Sequence, residues 1–100
     1  MAYAFVHDIA ASWYEYKRLG PTASPPPRGL LLQAAGPTDE GIRIIGIWRS
    51  EAHWRTHGKD RHLSTLDALG APGDPAQSFR DIPTVLLLLG ELVHGASPIA

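Results

Sequence analysis

Apolar and polar residues alternate at the start of the chain. Tyr3, Phe5 and His7 share one side of an extended segment over Ala2–Asp8, and Ala4 and Val6 share the other, which predicts a strand. Ser12-Trp13-Tyr14-Glu15 has the spacing of a capping box, in which the Ser hydroxyl accepts from the Glu amide and the Glu carboxylate reaches back. A short helix follows, with Ile9, Trp13 and Tyr16 turned inward, and Leu19-Gly20-Pro21 stops it. Gly20–Arg28 holds four prolines and reads as an extended loop. Gly29–Gly36 and Gly41–Trp48 are apolar runs joined by the polar turn Pro37–Gly41, which predicts an antiparallel hairpin. Ser50 is placed to cap a second helix running through Trp54 toward Leu69 and ending at Gly70, with Gly58 as a weak point inside it. After a second break over Gly70–Gln77, Pro83–His94 predicts a fourth strand.

The order βαββαβ is the ferredoxin-like unit, an α+β fold with an antiparallel sheet. Its helices cover one face of the sheet. Yet strands two to four are apolar on both faces. Leu30 and Leu32 oppose Leu31, Ile42 and Ile44 oppose Ile45 and Ile47, and Val85, Leu87 and Leu89 oppose Leu86 and Leu88. Each aliphatic side chain left in water forgoes roughly 1.5–3 kcal/mol of burial. The pattern therefore predicts a twofold homodimer, sheet face on sheet face.

Composition sharpens this picture. One hundred residues make a single domain over 1–100, and 44% hydrophobic residues suit a folded domain rather than a disordered chain. The absence of cysteine excludes disulfides, thiolate metal sites and Cys nucleophiles. A net charge of −1 provides no basic field for nucleic acid or acidic lipid. The longest apolar run, Val85–Leu89, is far short of the roughly 20 residues of a membrane span. The start MAYAFVHDIA has neither a basic region nor a small-residue cleavage site, so a cytoplasmic protein is expected.

Five histidines are the main chemical resource, because imidazole exchanges protons near neutrality. His7 lies on the first strand beside aromatic residues, where loss of water favours the neutral base. His53, His57 and His62 lie on the second helix. His53 and His57 share a helix face but have no third ligand in view, so no metal site is expected. His57 and His62 lie about 140° apart on a regular helix and converge only if it kinks at Gly58. Trp48 and Trp54, with Tyr3, are candidate walls for a flat ligand. Arg43, inside an apolar strand, is a candidate for an acidic substrate group or for a carboxylate across the dimer. No glycine-rich phosphate loop or nucleophile elbow is present.

The segment Trp48–His62 (WRSEAHWRTHGKDRH) resembles the signature of the antibiotic-biosynthesis-monooxygenase-like family. There, a Trp closes the third strand, an acidic-Ala segment opens the helix, one His follows the Trp by nine residues and another comes five later, as Trp48, His57 and His62 do. Gly29–Trp48 is also similar to members of this group, and the likeness extends over about residues 2–95. The resemblance implies the dimeric α+β barrel. It also implies a range of activities: cofactor-free oxygenation of aromatic polyketides, polyketide cyclisation, haem degradation, lactone isomerisation, or ligand binding without catalysis. The family's oxygenases and haem degraders usually carry an Asn on strand one. This chain has no Asn, and His7 is the nearest polar group on that strand.

The expected function is cofactor-independent oxygenation or cyclisation of an aromatic or polyketide-like molecule. His7, His57 and His62 are the catalytic candidates, and Tyr3, Arg43, Trp48 and Trp54 the substrate contacts. The alternatives are a non-catalytic dimeric binding module and a haem-binding or haem-degrading protein with His57 or His62 near the iron.

Overall fold

A computed structural model describes residues 1–21, 24–71 and 78–88. Four strands form one antiparallel sheet: β1 (Ala2–Ile9), β2 (Leu30–Thr38), β3 (Gly41–Trp48) and β4 (Phe79–Val85), in the order β2-β3-β1-β4. Helix α1 (Trp13–Arg18) connects β1 to β2. The second helical run lies between β3 and β4 and consists of α2 (Glu51–His53), a π-helical turn (Trp54–Gly58) and α3 (Lys59–Ala68). This α+β arrangement is compatible with a ferredoxin-like fold.

Local chemistry explains the helix ends. The Glu15 amide donates to Ser12 Oγ at 3.2 Å, and the His53 amide donates to Ser50 Oγ at 3.2 Å, so both serines satisfy first-turn donors. Gly70 takes a φ of +63° just past α3, a backbone state that favours glycine.

Alternation divides the sheet as the sequence predicts for β1 and β3. On the inner face, Tyr3, Phe5, Ile9, Ile42, Ile44 and Trp48 are buried and pack with Tyr16, Trp54 and Leu66 from the helices. The other face is read from the strand register. Leu32, Ile47, Ala4 and Ile82 form one row across the sheet, and Ala34, Ile45, Val6 and Arg80 form the next. Gly36, Arg43 and Asp8 form a third. A shallow groove of about 510 Å³ runs over this face, lined by strand residues alone, among them Ala4, Val6, Ile45, Ile47 and Ile82.

The fourth strand differs from expectation. It starts at Phe79 and ends at Val85, rather than spanning Pro83–His94. Leu86 and Leu88 follow it outside any strand and are exposed, and residues 89–94 of the expected strand lie outside the described residues. The physical reason is pairing: Phe79, Asp81 and Ile82 match His7, Phe5 and Ala4 across the ladder. Pro83 falls at a register shift between the Ile82 and Val85 pairs, on an edge strand, where its missing N–H costs no ladder bond.

Gly58, the expected weak point, ends an irregular turn of the helix. The Lys59 amide bonds to the Trp54 carbonyl, closing a π turn. Trp54, Gly58, His62 and Leu66 recur every fourth residue; all four are inward, with His62 half-buried and the others buried. In a regular α-helix each such step overshoots one turn by about 40°. The wider π turn absorbs part of that drift and keeps the four residues on the sheet side.

Candidate functional site

His7 is 2% exposed in the middle of β1, between Ile44 of β3 and Phe79 of β4 in the ladder. The inward stripe of α3 carries His62 toward it. His7 Nδ1 and His62 Nε2 are 2.8 Å apart, a hydrogen-bonding distance. Two neutral imidazoles make this contact with one ring as donor and the other as acceptor.

Aromatic rings enclose the pair. Phe5 and Trp54 lie 5.3 and 5.5 Å from His62, both edge-on, and Phe79 lies 5.3 Å from His7. Phe5 and Phe79 stack at 4.9 Å. Burial pushes the His62 imidazole down to about 4, with the neighbouring His7 as the smaller cause, so His62 is neutral at pH 7.

A second polar contact lies further along β1. The Tyr3 hydroxyl donates to Asp81 Oδ2 at 2.9 Å, and burial followed by this bond pushes the phenol well above its usual range. Tyr3 also stacks on Trp54 at 6.4 Å, and Trp54 meets Trp48 at 5.6 Å. The Trp48 indole N–H is buried and has no hydrogen-bond acceptor among the described residues. Tyr3, Trp48, Trp54, His7 and His62 therefore belong to one inner layer.

Two expected site residues lie elsewhere. His57 is exposed, and its ring neighbour is His53 at 6.2 Å. Arg43 lies in the charged row of the opposite sheet face. Its guanidinium donates to both Asp8 oxygens, at 2.6 and 3.1 Å, and Arg80 shares the second oxygen at 3.2 Å. The carboxylate that Arg43 meets is thus in its own chain. This pairing holds the Asp8 carboxyl below its usual value, with the Arg43 hydrogen bond as the largest cause.

Phe5, Phe79 and Asp81 complete the site although sequence reasoning did not single them out. The alternation Phe79-Arg80-Asp81-Ile82 carries the strand signal, but its charges and the nearby proline hide it beneath the leucine run that follows. Among the described residues, no three His, Asp or Glu side chains converge as a metal site, and no helix is long and apolar enough to cross a membrane.

Comparison with family models, curated proteins and solved structures finds no match to this chain.

Proposed function

We propose that this protein is a small-molecule enzyme of the antibiotic-biosynthesis-monooxygenase-like type, in which the His7–His62 pair serves as the base toward a flat aromatic or polyketide-like substrate. The observation that carries this reading is the 2.8 Å contact between a buried and a half-buried imidazole inside an aromatic layer.

His62 is unprotonated at neutral pH and able to accept a proton. Its imidazolium is unfavourable in this layer until a substrate anion forms beside it, which couples proton transfer to substrate. A phenolate or enolate made in this way is electron-rich. It then reacts with dioxygen or closes a ring by aldol attack, and neither route requires a bound cofactor from the protein. Trp48 and Trp54 provide flat apolar walls. The unsatisfied Trp48 N–H, an arrangement that costs about 1–3 kcal/mol, suits a substrate carbonyl or phenol oxygen.

The same reading makes the protein a homodimer in the form of an α+β barrel. Two fully or largely apolar rows on the open sheet face, with Ile82 59% exposed and Leu32 49% exposed, support it.

The test is a panel of phenols, naphthols and polyketide-like aromatics, followed by tryptophan fluorescence, oxygen uptake and product mass. Saturable quenching with turnover that falls at least tenfold in both His7→Ala and His62→Ala is expected. Binding without turnover would replace this reading with that of a non-catalytic binding module, which the core-like burial of His7 favours. No binding to any compound would remove both.

A further inference from the structure

We propose that His53 and His57 form a surface site for a divalent transition-metal ion, with copper(II) the ion held most tightly. The site does not depend on the proposed catalytic role of His7 and His62.

Spacing alone gives this pair a shared helix face and no third ligand. The structure adds a ring held in place and a separation that one ion can span. His53 closes α2, and His57 lies in the π turn that follows. His53 is half-buried and held on two sides. Its Nδ1 lies 2.7 Å from Ser50 Oγ, and a Cβ built on Gly29 would stand 2.6 Å from its Cδ2. Ser50 Oγ accepts from the His53 amide and has a second lone pair for an Nδ1–H. In that tautomer the ring's lone pair is on Nε2, the nitrogen turned away from Ser50. Metal-bound histidines are steadied in this way, by a hydrogen bond from the nitrogen that the ion leaves unused.

His57 supplies the adjustable half. It is exposed, and its ring centre lies 6.2 Å from that of His53, with 39° between the planes. With metal–nitrogen bonds of about 2.1 Å, two imidazoles on one ion have ring centres about 4.5–6.4 Å apart, from a right-angled to a straight arrangement. The observed separation falls at the wide end of that range. Rotation of the exposed His57 side chain closes the angle without moving the ring held by Ser50.

The donor set selects the ion. Among the described residues no third His, Asp or Glu converges here, so water completes the shell. Glu51, two positions before His53, is held by Arg55 at 2.6 and 2.8 Å. Neutral imidazoles suit copper, nickel and zinc, whereas magnesium, calcium and manganese prefer oxygen, and copper(II) heads the order of affinity. Two protein ligands and water make an exchangeable site rather than a structural one. The ion ties the Ser50-capped end of α2 to the π turn, and by binding only that folded arrangement it raises the stability of the chain.

Calorimetric titration of the full chain with copper(II), nickel(II), zinc(II) and magnesium chlorides tests the site, and histidine ring NMR with zinc locates it. Binding is expected to be tightest for copper and undetectable for magnesium. Zinc should shift the ring signals of His53 and His57 together and leave those of His7 and His62 in place. His57 is exposed, so His57→Ala tests the pair without disturbing the core. That variant should bind at least about tenfold more weakly, because the second ligand no longer acts within the same molecule. It should also lose the rise in melting temperature that nickel gives the wild type. Three results would overturn the site. One is His57→Ala binding as tightly as the wild type. Another is a set of zinc shifts that falls on other histidines or evenly on all of them, which would mean an adventitious ion only. The third is no detectable copper binding to the wild type.

Discussion

Gly58 lies directly against the indole of Trp48. A Cβ built on it would run into the Cζ2 and Cη2 atoms of that ring, and would come within 2.8 Å of Trp54. Glycine inside a helix is a cost of about 1 kcal/mol relative to alanine, so Gly58→Ala ought to stabilise by that amount if propensity ruled. Overpacking against two rigid indoles costs about 1–3 kcal/mol. Steric conflict wins, because neither ring is a flexible side-chain end. Gly58→Ala is expected to lower the stability of the domain by up to about 2 kcal/mol in urea denaturation. A more stable variant would contradict the packing described here.

Ser50 has two partners. Its hydroxyl oxygen accepts from the His53 amide at 3.2 Å and lies 2.7 Å from His53 Nδ1. Ser50→Ala removes the cap of the helical run that carries both Trp54 and His62. A loss of about 1 kcal/mol is expected, whereas Ser50→Asp, which restores the acceptor, should recover most of it. Thermal melts of the three proteins at pH 7 provide the comparison.

The central row of the open sheet face tests the proposed dimer. Ile45 lies between Ala34 and Val6, on the sheet face opposite the His7–His62 contact. Ile45→Glu places a charge in the middle of the apolar rows. Sedimentation is expected to show the wild type at twice the protomer mass and the variant at the protomer mass, with unchanged far-ultraviolet circular dichroism. A wild-type chain that stays single at 100 micromolar would remove the dimer.

Asp8 gives the fold a dependence on pH. Its carboxyl is held below 3.8 in the folded chain, chiefly by Arg43. A carboxylate with a lowered value stabilises the fold above its unfolded value, and that contribution is lost as pH falls through the lowered one. Asp8→Asn should therefore be less stable than wild type between pH 5 and 7, and the gap should narrow progressively as pH falls below about 3.8. The pair is solvent-accessible, so 0.5 M salt should narrow the gap at pH 6 as well. Urea titrations at the two pH values and two salt levels measure both effects.

The elements that were legible in the sequence are those with local causes. Tyr3-x-Phe5-x-His7 alternates within one strand, Ser12 and Ser50 cap the helices that begin next to them, and β3 keeps the expected bounds Gly41–Trp48. β4 was not legible. Its Arg80, Asp81 and Pro83 suit an edge strand with one neighbour, but hydropathy draws attention to the leucines beyond it. The His7–His62 contact joins positions 55 apart, and no spacing along the chain announces it. The kink expected at Gly58 did point to an irregular helix. What the linear order does not contain is the indole from β3 that requires a glycine there.

Pro83 has a counterpart at the far side of the sheet, where Pro37 lies in β2 opposite Ile42. Both outermost strands thus lack an amide that a stranger's strand would need for continuous pairing. Lateral recruitment of further copies into a growing ribbon is blocked at each border. A fibril that grows by strand addition therefore has no continuous template at either border of the described sheet.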